Sequence, residues 1–151
     1  MDITVHLRGA WWDEAPKAKI NFDGVDIWQG IVEHDVRQSF NVSIDGKNES
    51  VLSIELLDKK VNQTVCEGST IIRDQLLTIE QVIIDDIDLG LVLFNQSQYW
   101  PQYPEHMIAE SVSRNQTLPD CLKHITTLGW NGFWQLKFEH PFEIWYLENL
   151  P

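Results

Sequence analysis

The segment Asp2-Ile3-Thr4-Val5-His6-Leu7-Arg8 decides the fold class, because its apolar and polar residues alternate strictly. Ile3, Val5 and Leu7 fall on one side of an extended chain, while Asp2, Thr4, His6 and Arg8 fall on the other. A period of two lays one apolar row against a core and leaves the other row wet. The pattern returns at Ala18, Ile20 and Phe22, at Phe40, Val42 and Ile44, and at Leu52, Ile54 and Leu56. Asp23-Gly24 and Asp45-Gly46 fall between these runs. Both residue types tolerate the positive φ of primed turns, so each pair reads as a hairpin signal. The expectation is an all-β chain, an antiparallel β-sandwich of jelly-roll-like form.

Working outward, strands are expected at about 2–8, 17–23, 25–33, 37–44 and 50–57, with a loop from Ala10 to Pro16. Asp58 to Ser69 reads as a polar excursion. The longest apolar stretch, Leu76 to Ile84, is strand-like through its β-branched content, and Leu91 to Phe94 reads as a further short strand. Between them Asp85, Asp86 and Asp88 read as a solvated strand end that discourages edge pairing. Residues 95–130 form a long irregular segment. Its run Gln98 to Pro104 holds two prolines and three aromatics, a composition read as foreign to a central strand. Glu105 to Ser113 is expected to be a short helix, Phe133 to Glu139 a strand, and Phe142 to Leu150 a strand running into a short C-terminal helical turn. No repeat or linker interrupts it, so residues 1–151 are expected to form a single β-sandwich domain.

The net charge is −12, from 23 acidic and 11 basic residues. That argues against partners read through phosphates, nucleic acid and anionic membrane alike, since both need clustered Lys and Arg. It suits neutral polymers, basic surfaces or cations such as calcium. No apolar run approaches the roughly 20 residues that span a bilayer. Met1-Asp2-Ile3-Thr4-Val5 enters a strand at once, without the apolar core of a signal peptide. Cys66 and Cys121 lie far apart and read as free thiols, and the five Asn-x-Ser/Thr triplets read as ordinary polar surface.

Catalytic motifs are missing: no Gly-x-Ser-x-Gly, no phosphate-binding loop and no His-Glu-x-x-His occur. An enzyme is therefore not expected. Glu139 and Glu143, flanking His140-Pro141, remain as a conceivable glycosidase pair, although solvated acids at a turn explain them equally well. Among seven tryptophans, Trp28, Trp134 and Trp145 sit in core-like contexts. Trp11, Trp12, Tyr99, Trp100 and Tyr103 sit in segments read as loops. There, large aromatics serve to stack on sugar rings or to anchor protein interfaces, so these five are the candidate glycan or partner contacts.

Two resemblances add to this. Ile3 to Gly9, Pro16, Asp23-Gly24-Val25 and Leu52-Ser53-Ile54-Glu55-Leu56-Leu57-Asp58 resemble the calcium-dependent xylan-binding modules. In that family a strand ending in an acidic residue precedes a loop and an Arg-Asp entry to the next strand. Arg73-Asp74 before Gln75-Leu76-Leu77-Thr78-Ile79 is similar to that entry. The resemblance covers roughly residues 2–90 and implies a carbohydrate-binding-module sandwich with Asp58 and Asp74 as calcium ligands. This chain departs from it in lacking a Gly-rich loop between those aspartates and in carrying Lys59-Lys60. Carboxylates at converging strand ends suit the six to eight oxygen ligands that calcium takes.

The C-terminal residues, Gly129-Trp130-Asn131-Gly132, Trp134, Phe138, Pro141-Phe142 and Trp145 to Leu150, resemble the ends of small virion-associated proteins of tailed phages. That resemblance implies a non-catalytic virion component, decorating capsid or tail or adapting a fibre, made in the host cytoplasm and assembled in multiple copies with other virion proteins. The leading expectation is this virion role. The alternatives are a calcium-dependent carbohydrate-binding module that takes polysaccharide and, third, a glycoside-processing enzyme.

Overall fold

The computed structural model describes residues 1–151. Two antiparallel sheets carry the chain. The first contains β1 (Asp2–Ala10), β4 (Asp35–Asn41), β8 (Leu76–Ile84), β9 (Ile87–Asp88) and β12 (Thr127–Leu128), in the order β12-β8-β1-β4 with β9 beside β8. The second contains β2 (Lys17–Phe22), β3 (Val25–Ile31), β5 (Glu49–Leu57), β10 (Ser97–Pro101), β11 (Leu122–Lys123) and β13 (Gly132–Glu139), in the order β11-β10-β13-β5-β2-β3. A separate hairpin, β6 (Val65–Glu67) with β7 (Thr70–Arg73), lies in the polar excursion. Period-two burial holds on the long strands: Ile3, Val5 and Leu7 of β1 and Leu52, Ile54 and Leu56 of β5 are all buried. They belong to one core of 24 residues drawn from both sheets. Phe22 of the second sheet meets Phe40 of the first edge-on, at 6.2 Å between ring centres.

β8 solves a phase problem that its composition conceals. Leu77, Ile79, Val82 and Ile84 are all buried, yet two residues separate Ile79 from Val82. His6 of β1 pairs with Gln81 and Leu7 with Ile79, so Glu80 is an extra, bulged residue. The bulge moves the register by one and returns Val82 and Ile84 to the core face.

Asp23-Gly24 closes the β2–β3 hairpin with φ of 49° and 84°, as its chemistry predicts. Asp45-Gly46 does something else. The strands on either side of it lie in different sheets, so this turn carries the chain across the sandwich and joins no hairpin.

Three other segments differ from the sequence reading. Leu91 to Asn95 is a short helix, α1, with Val92 and Leu93 buried. Residues 97–101 are β10, which lies between β11 and β13. Pro101 is tolerated there because it ends the strand. The C-terminal Phe142–Glu148 is a helix, α3, from its first residue. Its Phe142 and Trp145 lie 5.6 and 5.9 Å from the Phe138 ring, extending the core beyond the sheets. The expected helix at Glu105–Ser113, α2, is present with Pro104 just before it. No helix is long and apolar enough to cross a membrane.

Candidate functional site

One end of the sandwich gathers the loop between β1 and β2, the end of β5, the segment 58–64, the entry to β8 and the turn before β13. The loop between β1 and β2 is tied down by two buried glutamines. Gln63 donates from Nε2 to Asp13 Oδ2 at 2.9 Å, while its Oε1 accepts the Glu14 N–H at 3.2 Å and its carbonyl accepts Trp12 Nε1 at 2.8 Å. Gln75 donates from Nε2 to the Glu14 carbonyl at 2.7 Å. Its Oε1 has no hydrogen-bond partner. Trp11 is fixed separately, its Nε1 donating to the Glu33 carbonyl at 2.7 Å with 40% of its surface exposed. Between these parts opens a cleft of about 420 Å³. Trp11, Asp13, Glu14, Lys17, Glu33, Asp58, Lys60 and Gln75 are among the residues that line it. Two lysines are engaged: Lys60 pairs with Glu14 at 3.0 Å and Lys17 approaches Asp58 at 3.9 Å.

Between Asp58 and Lys60, both of which line this cleft, lies the cation that the sequence did not announce. The Lys59 side chain is fully buried and its Nζ donates to Asp74 Oδ1 at 2.6 Å and to the Gly129 carbonyl at 2.5 Å. It also stands 4.4 Å from the centre of the Trp130 ring. Asp74 Oδ1 accepts two more hydrogen bonds, from Thr64 Oγ1 at 2.7 Å and from the Gln75 N–H at 2.8 Å. Burial lowers the Lys59 pKa, and the hydrogen bond and charge of Asp74 oppose that shift.

Of the seven expected site residues, the structure brings only Trp11 and Asp58 to one cleft. Asp58 is a surface side chain, 75% exposed, and Asp74 is engaged by Lys59, so the two aspartates share no partner. Trp12 lies under the Arg73 guanidinium, 5.1 Å from its ring centre. Of the three aromatics read as loop contacts in Gln98 to Pro104, Tyr99 is instead a core residue of β10, while Trp100 and Tyr103 are half-buried. Tyr99 is 3% exposed and its hydroxyl donates to the Trp130 carbonyl; burial raises its pKa to about 12. Trp100 stacks on Phe133 of the neighbouring strand at 5.4 Å, and Tyr103 donates to the Pro119 carbonyl at 2.8 Å. Strand pairing of β10 with β13 is what buries Tyr99, since it turns alternate residues into the core and leaves Trp100 on the other face beside Phe133. Lys59, Gln63 and Gln75 were missed. The only signal for Lys59 was its place beside a strand-end aspartate.

One constellation has the residue types of a hydrolase. Ser50 Oγ is 2.7 Å from His140 Nε2 and donates to Asp23 Oδ2 at 2.9 Å. The order is wrong for nucleophile activation, because the acid must hold the histidine's other nitrogen. Here that nitrogen, Nδ1, has no partner, and Ser50 is 1% exposed. Asp23 serves the fold instead.

No protein-family model and no curated protein matches the sequence. Solved structures match in three dimensions. vCBM60 in complex with galactobiose superposes with a TM-score of 0.55 at 11% identity, over 90% of this chain and 97% of that one. This chain shares the vCBM60 sandwich. A selenomethionine form of vCBM60, from work linking two families of calcium-dependent carbohydrate-binding modules by circular permutation, gives 0.54 at 12% identity over 89% and 88%. At such identity the likeness establishes the fold alone.

Calcium, implied by the sequence resemblance to calcium-dependent xylan-binding modules, can be tested against the donors present. Asp74 already holds a fixed positive charge, Asp58 points at Lys17, and no group of three or more His, Cys, Asp or Glu residues is placed to hold a metal. The arrangement does not fit a calcium ion shared by Asp58 and Asp74.

Proposed function

We propose that this chain is a non-catalytic carbohydrate-binding domain whose cleft beside Trp11 receives the glycan. The observation that carries the reading is an open cleft with an immobilised indole and several carboxylates, at one end of a sandwich shared with vCBM60. Sugars offer hydroxyl donors around a ring with apolar C–H faces. Asp13, Glu33 and Asp58 supply acceptors for the first, and Trp11 supplies a flat apolar surface for the second. Because the Trp11 ring is already held by Glu33, stacking on it costs little further ordering. Four carboxylates against two ammoniums give the cleft a negative field, which favours neutral or amino sugars over uronates.

Titration calorimetry with soluble neutral, amino and uronate oligosaccharides tests this. The neutral and amino sugars are expected to bind, and Trp11→Ala to raise Kd tenfold or more, about 1.4 kcal/mol. Absence of binding across all three classes would reject the reading. A virion role ranks second. It draws support from the exposed Ile144, Leu147 and Leu150 at the C-terminus, an apolar row suited to packing on another protein. Copurification of the chain with assembled particles would move that reading to first place.

A further inference from the structure

Lysine is almost never fully buried unless it is paired, and Lys59 is buried completely. Its ammonium has three N–H donors, and three acceptors surround it: the Asp74 carboxylate, the Gly129 carbonyl and the face of Trp130. The backbone of Lys59 is clamped as well. Its N–H donates to Asn131 Oδ1 at 2.7 Å, and its carbonyl accepts Asn131 Nδ2 at 2.9 Å. Through Asp74 the same cation reaches Thr64 and the start of β8. One positive charge thus joins the end of β5, the turn at 61–64, the entry to β8 and the loop between β12 and β13. Collecting a carboxylate and a carbonyl from separate loops is the work of a structural calcium ion.

We propose that the Lys59 ammonium is a built-in cation that replaces a bound divalent metal in ordering this end of the sandwich. The loops are then set, and the cleft that Asp58, Lys60 and Gln75 help to line is formed, without calcium. Asp74 Oδ1 has one oxygen's capacity divided among three donors, one of them charged, so a divalent ion there would meet Lys59 Nζ at close range and be repelled. The covalent tether makes the cation permanent, as no free metal concentration sets its occupancy. The part of this inference that concerns the cleft rests on the carbohydrate reading; the part that concerns loop order does not.

The test uses the full chain, with thermal melting and glycan calorimetry in calcium chloride and in EDTA. The wild-type melting temperature is expected to be the same in both, as is the Kd of any glycan that binds. Lys59→Met keeps the apolar stem and removes the charge. It should lower the melting temperature by roughly 10 °C, because it leaves the Asp74 charge uncompensated in a partly buried site. It should also make that temperature rise with added calcium, now that no ammonium repels a cation at Asp74. A wild type that is stabilised by calcium, or that loses glycan in EDTA, overturns the proposal while leaving the carbohydrate reading standing. A Lys59→Met variant as stable as wild type overturns it too. A wild type indifferent to calcium that binds no glycan leaves the built-in cation in place and removes the carbohydrate reading. Should Lys59→Met not fold, the wild-type comparison still decides.

Discussion

Asp23 occupies a turn position at φ 49°, a conformation aspartate and asparagine reach at low cost, and its carboxylate then organises the chain around it. Oδ2 accepts from Lys47 Nζ at 2.7 Å and from Ser50 Oγ at 2.9 Å, while Oδ1 accepts the Val51 N–H at 2.8 Å. Burial pushes its pKa up, but the Lys47, Val51 and Ser50 hydrogen bonds outweigh that and hold the carboxyl below its ordinary value. A carboxylate depressed in the folded state stabilises it above the unfolded pKa of about 3.9, and that contribution disappears as pH falls through the folded pKa. Asp23→Asn keeps the turn geometry and removes the charge. It should cost about 1.5–3 kcal/mol at pH 7, the range for hydrogen bonds to a charged group. Urea denaturation should then show the gap between variant and wild type narrowing as pH falls below 4. A gap independent of pH would mean that the charge is irrelevant.

At the scale of elements, β10 and β13 show why backbone approach matters more than composition. Gly132 pairs with Pro101 at φ 137°, and a Cβ placed there would lie 2.3 Å from the Trp100 carbonyl oxygen. Backbone cannot give way as a flexible side-chain tip can. Gly132→Ala therefore forces the strands apart where Trp100 stacks on Phe133 and where Tyr99 reaches Trp130. The expected loss is about 2–4 kcal/mol, a strained φ added to a steric clash. Gly24, whose Cβ would meet nothing within 4 Å, is the comparison. Gly24→Ala should cost less, since only its φ of 84° opposes the substitution. Chemical denaturation of the two variants checks the order.

Across the whole molecule the core does not stop at the sheets. Phe142 and Trp145 of α3 are buried against Phe138, and Phe138 touches Phe22 at 6.3 Å. Losing either large aromatic from a core costs about 3–5 kcal/mol. Total stabilities run to roughly 5–15 kcal/mol. A chain ending at Pro141 is therefore expected to lose its cooperative melting transition, read by near-ultraviolet circular dichroism. A sharp transition within a few degrees of the full chain would show that α3 is an ornament.

The sequence by itself determined the all-β class, the inward rows of β1, β2 and β5, the β2–β3 hairpin and the helix after Pro104. Each is written in residues adjacent along the chain, where a period of two, a pair tolerant of positive φ or a missing N–H acts locally. Tertiary structure alone decided the bulge at Glu80, the crossing at Asp45-Gly46, the inward turn of Tyr99 and the pairing of Lys59 with Asp74. In those cases the deciding partner lies in another strand or loop, as Gly129 lies 70 residues from Lys59. A lysine beside a strand-end aspartate reads as two solvated charges until the fold brings a carboxylate, a carbonyl and an indole face around one of them. The free energy that holds the ammonium inside exists only once those groups have met.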